Sequence, residues 1–205
     1  NRRHEPDCLK IANPIGMMNL QNVQEIRDRA RKNLENGAVT PNYEGDVQTT
    51  VQLLNEVLAT EIVCTLRYKF SYIMADGLQS PGVKEEFLEH AREEEEHADQ
   101  VAERIQELGG SPDYNPATLL QRSHAEYIEG KTLVEMIKGN LVSERIAIES
   151  YRDLIRYFAD RDPTTRRLLE SILAKEEEHA SELSSLIHHY SIHAVKEHEK
   201  GEAVG

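Results

Sequence analysis

Ala91-Arg92-Glu93-Glu94-Glu95-Glu96-His97-Ala98 is the stretch that decides the fold, and it returns in shortened form as Ala174-Lys175-Glu176-Glu177-Glu178-His179-Ala180. Each copy lies inside a run of helical periodicity. Around the first, Phe87, Ala91, Ala98, Val101, Ile105 and Leu108 recur at helical spacing; around the second, Leu169, Ile172, Leu183, Leu186 and Tyr190 do so. A Glu and a His three residues apart share one helix face, so Glu94 with His97, and Glu176 with His179, each project a carboxylate and an imidazole into one space. Both pairs fall on the apolar stripe, where charge is expected only if something compensates it.

Two more helical segments carry the same break. The apolar stripe Val47, Val51, Leu54, Leu58, Ile62, Thr65, Tyr68 and Tyr72 starts after Asp46, a plausible N-cap, runs to Gly77, and is interrupted by Glu61. The stripe Leu133, Ile137, Leu141, Ile148, Tyr151, Ile155 and Phe158, over about Thr132 to Ala159, is interrupted by Glu144. Ser80-Pro81 and Asp162-Pro163 supply a cap and a first helical residue for the two Glu-x-x-His helices, and Gly109-Gly110 stops the first of them. At about 1.5 Å of rise per residue, Glu61 lies roughly 22 Å before the turn near Asp76 and Glu94 roughly 20 Å after Pro81. Glu144 and Glu176 stand roughly 24 Å and 20 Å from their own turn by the same rise. All four acidic positions therefore fall at one level.

The expected fold is all-α: four long helices in a bundle. Short connections make the first pair and the last pair antiparallel, while the long middle connection crosses the bundle. That connection holds a short helix opened by Asn115-Pro116, from Ala117 to about His124, and is interrupted at Gly130. A preliminary helix is expected from about Asn19 to Asn36, ended by Gly37. The domain reading is an N-terminal extension with a short helix at 1–45, the bundle at 46–190 and a C-terminal tail at 191–205.

Four carboxylates and two imidazoles in an apolar interior need compensation, and two divalent cations supply it. Oxygen and imidazole donors suit iron or manganese, with zinc as an intruder. Taken alone, either Glu-rich run also reads as a solvated helix face. Against that, of the nine histidines only His97 and His179 have Glu three residues earlier, and both sit on the seam level with Glu61 and Glu144.

The formal charge of −13 over 205 residues argues against general affinity for nucleic acid and for a surface that gathers cations. Only the first 32 residues dissent, with Arg2, Arg3, Lys10, Arg27, Arg29, Arg31 and Lys32 against Glu5, Asp7, Glu25 and Asp28. Cys8 and Cys64 are too few for a disulfide framework, no apolar run reaches the roughly 18 residues of a membrane span, and no leader pattern is read. A cytoplasmic protein with no membrane partner is the expectation.

Leu53-Leu54-Asn55 through Glu61 to Tyr68, Glu94 to Asp99, and Glu176 to His179 resemble the ferritin superfamily, and within it bacterioferritin and the Dps-like proteins that carry a bacterioferritin-type centre. The resemblance covers about Asp46 to Tyr190. It implies a ferritin-like bundle with a di-iron ferroxidase centre in which Glu94 and Glu176 bridge the metals. Glu61 with His97 would hold one iron, Glu144 with His179 the other, and Tyr68 matches the family tyrosine beside the centre. Tyr68 also reads as an ordinary core residue, and Asn140 either as a ligand-orienting amide or as helix surface. Where bacterioferritin carries its haem methionine this sequence has Glu95, so no haem is expected. Ser181 to Lys200 has no glycine or proline to turn a fifth helix, and the N-terminal extension with the crossover helix looks Dps-like, which favours a shell of twelve subunits over twenty-four.

The function implied is iron storage or detoxification: Fe(II) is oxidised with dioxygen or hydrogen peroxide, and Fe(III) is mineralised in a cage. The rival readings are a di-iron or di-manganese peroxidase or catalase, and a nucleoid protein whose basic arm binds DNA as a secondary role. A rubrerythrin would need paired Cys-x-x-Cys, which this sequence lacks. Cys64 reads as a small buried hydrophobe near the site. His188, His189, His193 and His198 read as histidines scattered along a helical tail.

Overall fold

The computed structural model of the chain describes residues 23–75 and 81–202, with side chains as far as 190. The described residues are all helical or loop: α1 (Val23–Ala30), α2 (Val47–Met74), α3 (Pro81–Glu107), α4 (Leu119–Arg122), α5 (Leu133–Phe158) and α6 (Pro163–Glu202). Four of these are long, and they form the bundle. Arg2, Arg3 and Lys10 of the basic arm, Cys8, the stop at Gly77, the cap at Ser80, and the side chains of His193 and His198 lie outside the described residues.

The bundle helices begin where side chains can satisfy their free N–H groups. Asp46 accepts from Thr49 N at 2.9 Å, Thr132 from Glu135 N at 3.2 Å, and Asp162 from Thr165 N at 2.9 Å. α3 ends at Gly109, whose φ of 78° suits glycine, and the following Gly110 N–H bonds back to Ile105 O at 2.9 Å. A side chain at Gly110 would strike Val51, so the stop also lets α2 and α3 approach closely.

The long connection climbs along α2 from one end of the bundle to the other. Asp113 N bonds to Asn55 Oδ1 (2.7 Å), His124 N to Thr60 Oγ1 (3.0 Å), and Arg67 reaches Glu126 O. α5 therefore starts at the end where α2 finishes, and the helices run up, down, down, up. That is the crossover topology expected from the loop lengths.

Apolar packing splits into two main blocks. Leu54, Leu58, Val101, Ile105, Phe158, Leu169 and Ile172 fill one half of the bundle; Tyr68, Phe87, Ala91, Ile137 and Leu183 fill the other. Each fully buried Leu, Ile or Phe contributes about 1.5–3 kcal/mol, so the two blocks can carry a costly layer between them. The acidic layer is that layer.

Two segments depart from the expected outline. The preliminary helix stops at Ala30, and Asn33 adopts a left-handed φ of 53° before a short 3-10 turn at Leu34–Asn36. Asn enters that left-handed region more readily than most residues that carry a Cβ. The crossover helix is a single turn, since Asp113 and Asn115 side chains accept from the backbone N–H of Asn115 and Ala117 and hold turns instead. α6 runs on to Glu202, as the helical reading of the tail expects.

Candidate metal centre

Each of the four long helices delivers its acidic residue to the middle of the bundle. Glu61, Glu94, Glu144 and Glu176 are all at most 1% exposed, as is His179, and His97 is 5% exposed. Two groups form among them: Glu61, Glu94, His97 and Glu176, and Glu94, Glu144, Glu176 and His179. Within each group one ligand atom per residue lies within 4.8 Å of the others. Glu94 and Glu176 belong to both groups. Glu61 and His97 belong only to the first, and Glu144 and His179 only to the second.

Both imidazoles present Nδ1 to the carboxylates. His97 Nδ1 is 3.0 Å from Glu176 and 3.5 Å from Glu61; His179 Nδ1 is 3.2 Å from Glu94 and 3.9 Å from Glu144. Yet both Nδ1 atoms, both oxygens of Glu94 and one oxygen each of Glu61, Glu144 and Glu176 are buried without a hydrogen-bond partner. So many orphaned polar atoms in one place is a cost that a native interior seldom carries, and bound cations would remove it. The donor set, carboxylate oxygens with imidazole nitrogens, fits two such cations.

Other side chains hold the outer atoms of this set in place. Tyr151 OH donates to Glu61 Oε1 at 2.7 Å, and Tyr68 OH donates to Glu144 Oε1. Each tyrosine lies two turns beyond its own helix's Glu, on the same face, and crosses to the Glu of the other half. Tyr68 is thus placed by the structure beside the centre, but on Glu144 rather than on Glu61. Tyr151 is its counterpart. Sequence reasoning took Tyr151 for core, although its spacing from Glu144 repeats that of Tyr68 from Glu61.

Glu93 was also missed, as part of a solvated run. Its Oε2 sits 2.7 Å from His179 Nε2, so the imidazole donates outward through Nε2 and keeps Nδ1 free to face the centre. Lys175 fixes that carboxylate in turn, at 3.1 Å. Asn140 is buried, but it donates to Ser71 at 3.0 Å and ties α5 to α2 instead of touching a carboxylate of the centre. Cys64 packs with Ala59, Val63, Leu119 and Ala125, and burial followed by the nearby Glu94 raises its thiol well above the usual range. It packs here as a small hydrophobe. A surface hollow at the far end of the bundle, against Glu35, Val39, Val47, Glu107 and Thr164, involves none of these residues.

Protons take the place of metal charge in the ion-free protein. Burial first, then Glu144 and Glu61, push Glu94 up to about 8; burial, then Glu94 and Glu61, push Glu176 up to about 8. Burial and Glu176 raise Glu144 well above the carboxylate range. Burial opposes the charged imidazole of His179, but Glu94 and Glu144 outweigh it and raise the group to about 9. His97 moves upward too, because Glu176, Glu61 and Glu94 outweigh its burial. Burial would also raise Glu61, but His97, Glu94 and Tyr151 hold it below its usual value. Cations entering this set must displace protons. At pH 7, zinc titration of the ion-free protein is therefore expected to release protons, and apparent affinity to rise about tenfold or more from pH 6 to pH 8. Calorimetry in buffers of different ionisation enthalpy measures the protons; a pH-independent affinity would contradict this protonation scheme.

Residues 51–191 match the family model described as a ferritin-like domain. The chain belongs to the ferritin-like family. Among its relatives, the "DNA protection during starvation protein" of Pyrococcus furiosus is 31% identical over 146 residues, covering 69% of this chain and 78% of that one. The bacterioferritin of Mycobacterium avium is 29% identical over 143 residues, covering 69% and 85%. Among solved structures, a dodecameric thioferritin, the bacterioferritin-related protein of Bacteroides fragilis, superposes with a TM-score of 0.69 at 31% identity, covering 75% of this chain and 92% of that chain. A Dps from Thermosynechococcus elongatus, at 21% identity and a TM-score of 0.66 over 68% of this chain and 90% of that chain, shares the fold. In this ferritin-like chain, no helix among the described residues is long and apolar enough to cross a membrane.

Proposed function

We propose that this ferritin-like chain is a ferroxidase that binds two Fe(II) ions as substrate and oxidises them with hydrogen peroxide or dioxygen. The observation that carries the reading is the pair of overlapping ligand groups that share Glu94 and Glu176. Two four-ligand groups with two members in common suit a pair of adjacent cations better than a single one. Glu61 with His97 would complete one position, and Glu144 with His179 the other.

Each Fe(II) gives up one electron. The two electrons, with two protons, take hydrogen peroxide to two waters, or dioxygen to hydrogen peroxide. The chain's own residues bind and orient for that transfer. Tyr151 and Tyr68 fix the terminal carboxylates, Glu93 fixes the ring of His179, and the two apolar blocks keep bulk water out.

Fe(III) would leave for the interior of a cage, and a shell of twelve such subunits is our reading of the assembly. Two observations support it: the B. fragilis neighbour is dodecameric, and Leu66, Leu120, Tyr127, Ile128 and Val142 are exposed apolar residues suited to contacts between subunits. The name of the P. furiosus relative favours protection of DNA as a second reading. A net charge of −13 would confine any DNA contact to the basic N-terminal arm, and the binding would weaken steeply with salt.

Rapid mixing of ion-free protein with Fe(II) and either oxidant tests the proposal. Oxidation more than about 100-fold faster than in buffer alone, with oxo-ferric absorbance, is expected from fixed carboxylate ligands. A rate equal to that in buffer would overturn it. Activity with Mn(II) but not Fe(II) would favour the peroxidase or catalase reading.

A further inference from the structure

One turn outside the centre, the same two helices carry a second set of ligand-type side chains. On α3, His90 lies four residues before Glu94, and Glu86 four before His90; on α6, Glu182 lies three after His179. These intervals keep all three on the faces that hold the centre. The structure brings Glu86, His90 and Glu182 together, with one ligand atom of each within 4.8 Å of the others. His90 Nε2 stands 2.9 Å from Glu182 Oε2 and 3.7 Å from Glu86 Oε1.

The imidazole is fixed and the carboxylates are open. His90 is 1% exposed, lies flat on His179 with ring centroids 4.0 Å apart, and meets the Tyr68 ring edge-on at 5.1 Å. The side chains of Glu86 and Glu182 remain 30% and 43% exposed. Among the described residues no lysine or arginine pairs with either carboxylate, and Glu89 adds negative charge beside Glu86. His90 Nδ1 is itself buried with no hydrogen-bond partner. Two carboxylates thus converge from the solvent side on Nε2 of a buried, immobilised imidazole.

We propose that Glu86, His90 and Glu182 form a third divalent-cation site beside the six-residue centre and open to solvent on its carboxylate side; His90 is the neighbour they share, since it also comes within 4.8 Å of Glu144 and His179. One nitrogen and two carboxylates suit Zn(II), Fe(II), Mn(II) or Co(II), with water completing the shell. The stacked rings of His90 and His179 lie between the two carboxylates and the centre. The site stands on its own ligands, whether or not the centre oxidises iron.

Crystals of the assembled full-length protein soaked in Zn(II), with anomalous difference maps at the zinc edge, test this. The expected map has a peak bound by Glu86, His90 and Glu182 besides those of the centre. In the double variant Glu86→Gln/Glu182→Gln that peak disappears while the centre keeps its own. Both residues are partly exposed and tolerate the isosteric change. In solution the corresponding zinc affinity should fall more than about 100-fold, beyond the effect of losing an outer-sphere partner. A wild-type map without the third peak overturns the proposal, as does a third peak that survives in the variant. Loss of every peak in the variant would show a single coupled cluster and also contradict it. A third peak beside an empty centre would support this site and sink the two-cation reading instead.

Discussion

Replacing Glu94 with glutamine is expected to abolish iron oxidation and, at alkaline pH, to make the ion-free protein more stable. Glutamine keeps the shape but removes the charge of a residue shared by both ligand groups. Fe(II) oxidation should fall by more than about 100-fold, since even outer-sphere partners of metal ligands command 10–100-fold. The stability effect has the opposite sign. The carboxyl of Glu94, raised from its ordinary 4.5 to about 8 in the folded chain, holds a proton more tightly there than when unfolded. Its contribution to folding is complete below pH 4.5 and is lost as pH rises through about 8. Glutamine has no proton to lose. At pH 9 the ion-free variant should therefore exceed the wild type by about 1–4 kcal/mol, the range found when buried charge is replaced by neutral groups, and at pH 5 the two should match. Urea melts at the two pH values measure this. Glu95→Gln is the control: Glu95 is exposed and pairs with Lys69 at 3.2 Å, so the change should stay within about 0.5 kcal/mol and leave oxidation intact.

The largest purely structural loss is expected at the other end of the bundle. Asp162, 2% exposed, accepts from Thr165 N at 2.9 Å, Thr165 Oγ1 at 2.6 Å and Tyr43 OH at 2.8 Å, and it faces Arg104 Nη2 at 3.1 Å. One carboxylate thus caps α6, pins the N-terminal segment and neutralises a buried arginine. Asp162→Ala should cost about 3–5 kcal/mol, because the buried ion pair, the helix cap and the Tyr43 bond are lost together and Arg104 keeps only the half-exposed Glu107 at 2.9 Å as its anionic partner. Adding Arg104→Met should recover part of the loss. The variant should still oxidise iron at the wild-type rate per folded subunit, as no ligand has moved. A loss under about 1 kcal/mol would mean the cluster is less buried than it is here.

Periodicity made the four long helices and their common polar level readable, because the charges break apolar stripes that are otherwise regular. Capping residues such as Asp46 and Asp162 placed their helix starts within a residue or so. Lateral detail was not readable. Tyr151, Glu93 and His90 matter for what a neighbouring helix puts against them, and a one-dimensional period says nothing of rotation between helices. Glu93 looked like one of four solvated acids until α6 brought His179 against it. His90 carries Glu four residues earlier, not three, so it does not fit the Glu-x-x-His pattern. The break at Asn33 escaped because it lies in a left-handed backbone turn that no apolar period marks, and the single-turn crossover helix because the Asp113 and Asn115 side chains bond to the backbone and override helical propensity.

Everything functional rests on Glu94 and Glu176 lying between two cations in one bundle. Ion-free protein should be loaded anaerobically with two equivalents of ⁵⁷Fe(II) per subunit, oxidised with hydrogen peroxide, and examined by Mössbauer and electron paramagnetic resonance spectroscopy. The account predicts that most of the iron forms a magnetically coupled ferric pair with no resonance signal. Isolated mononuclear ferric ions accounting for the added iron would contradict it.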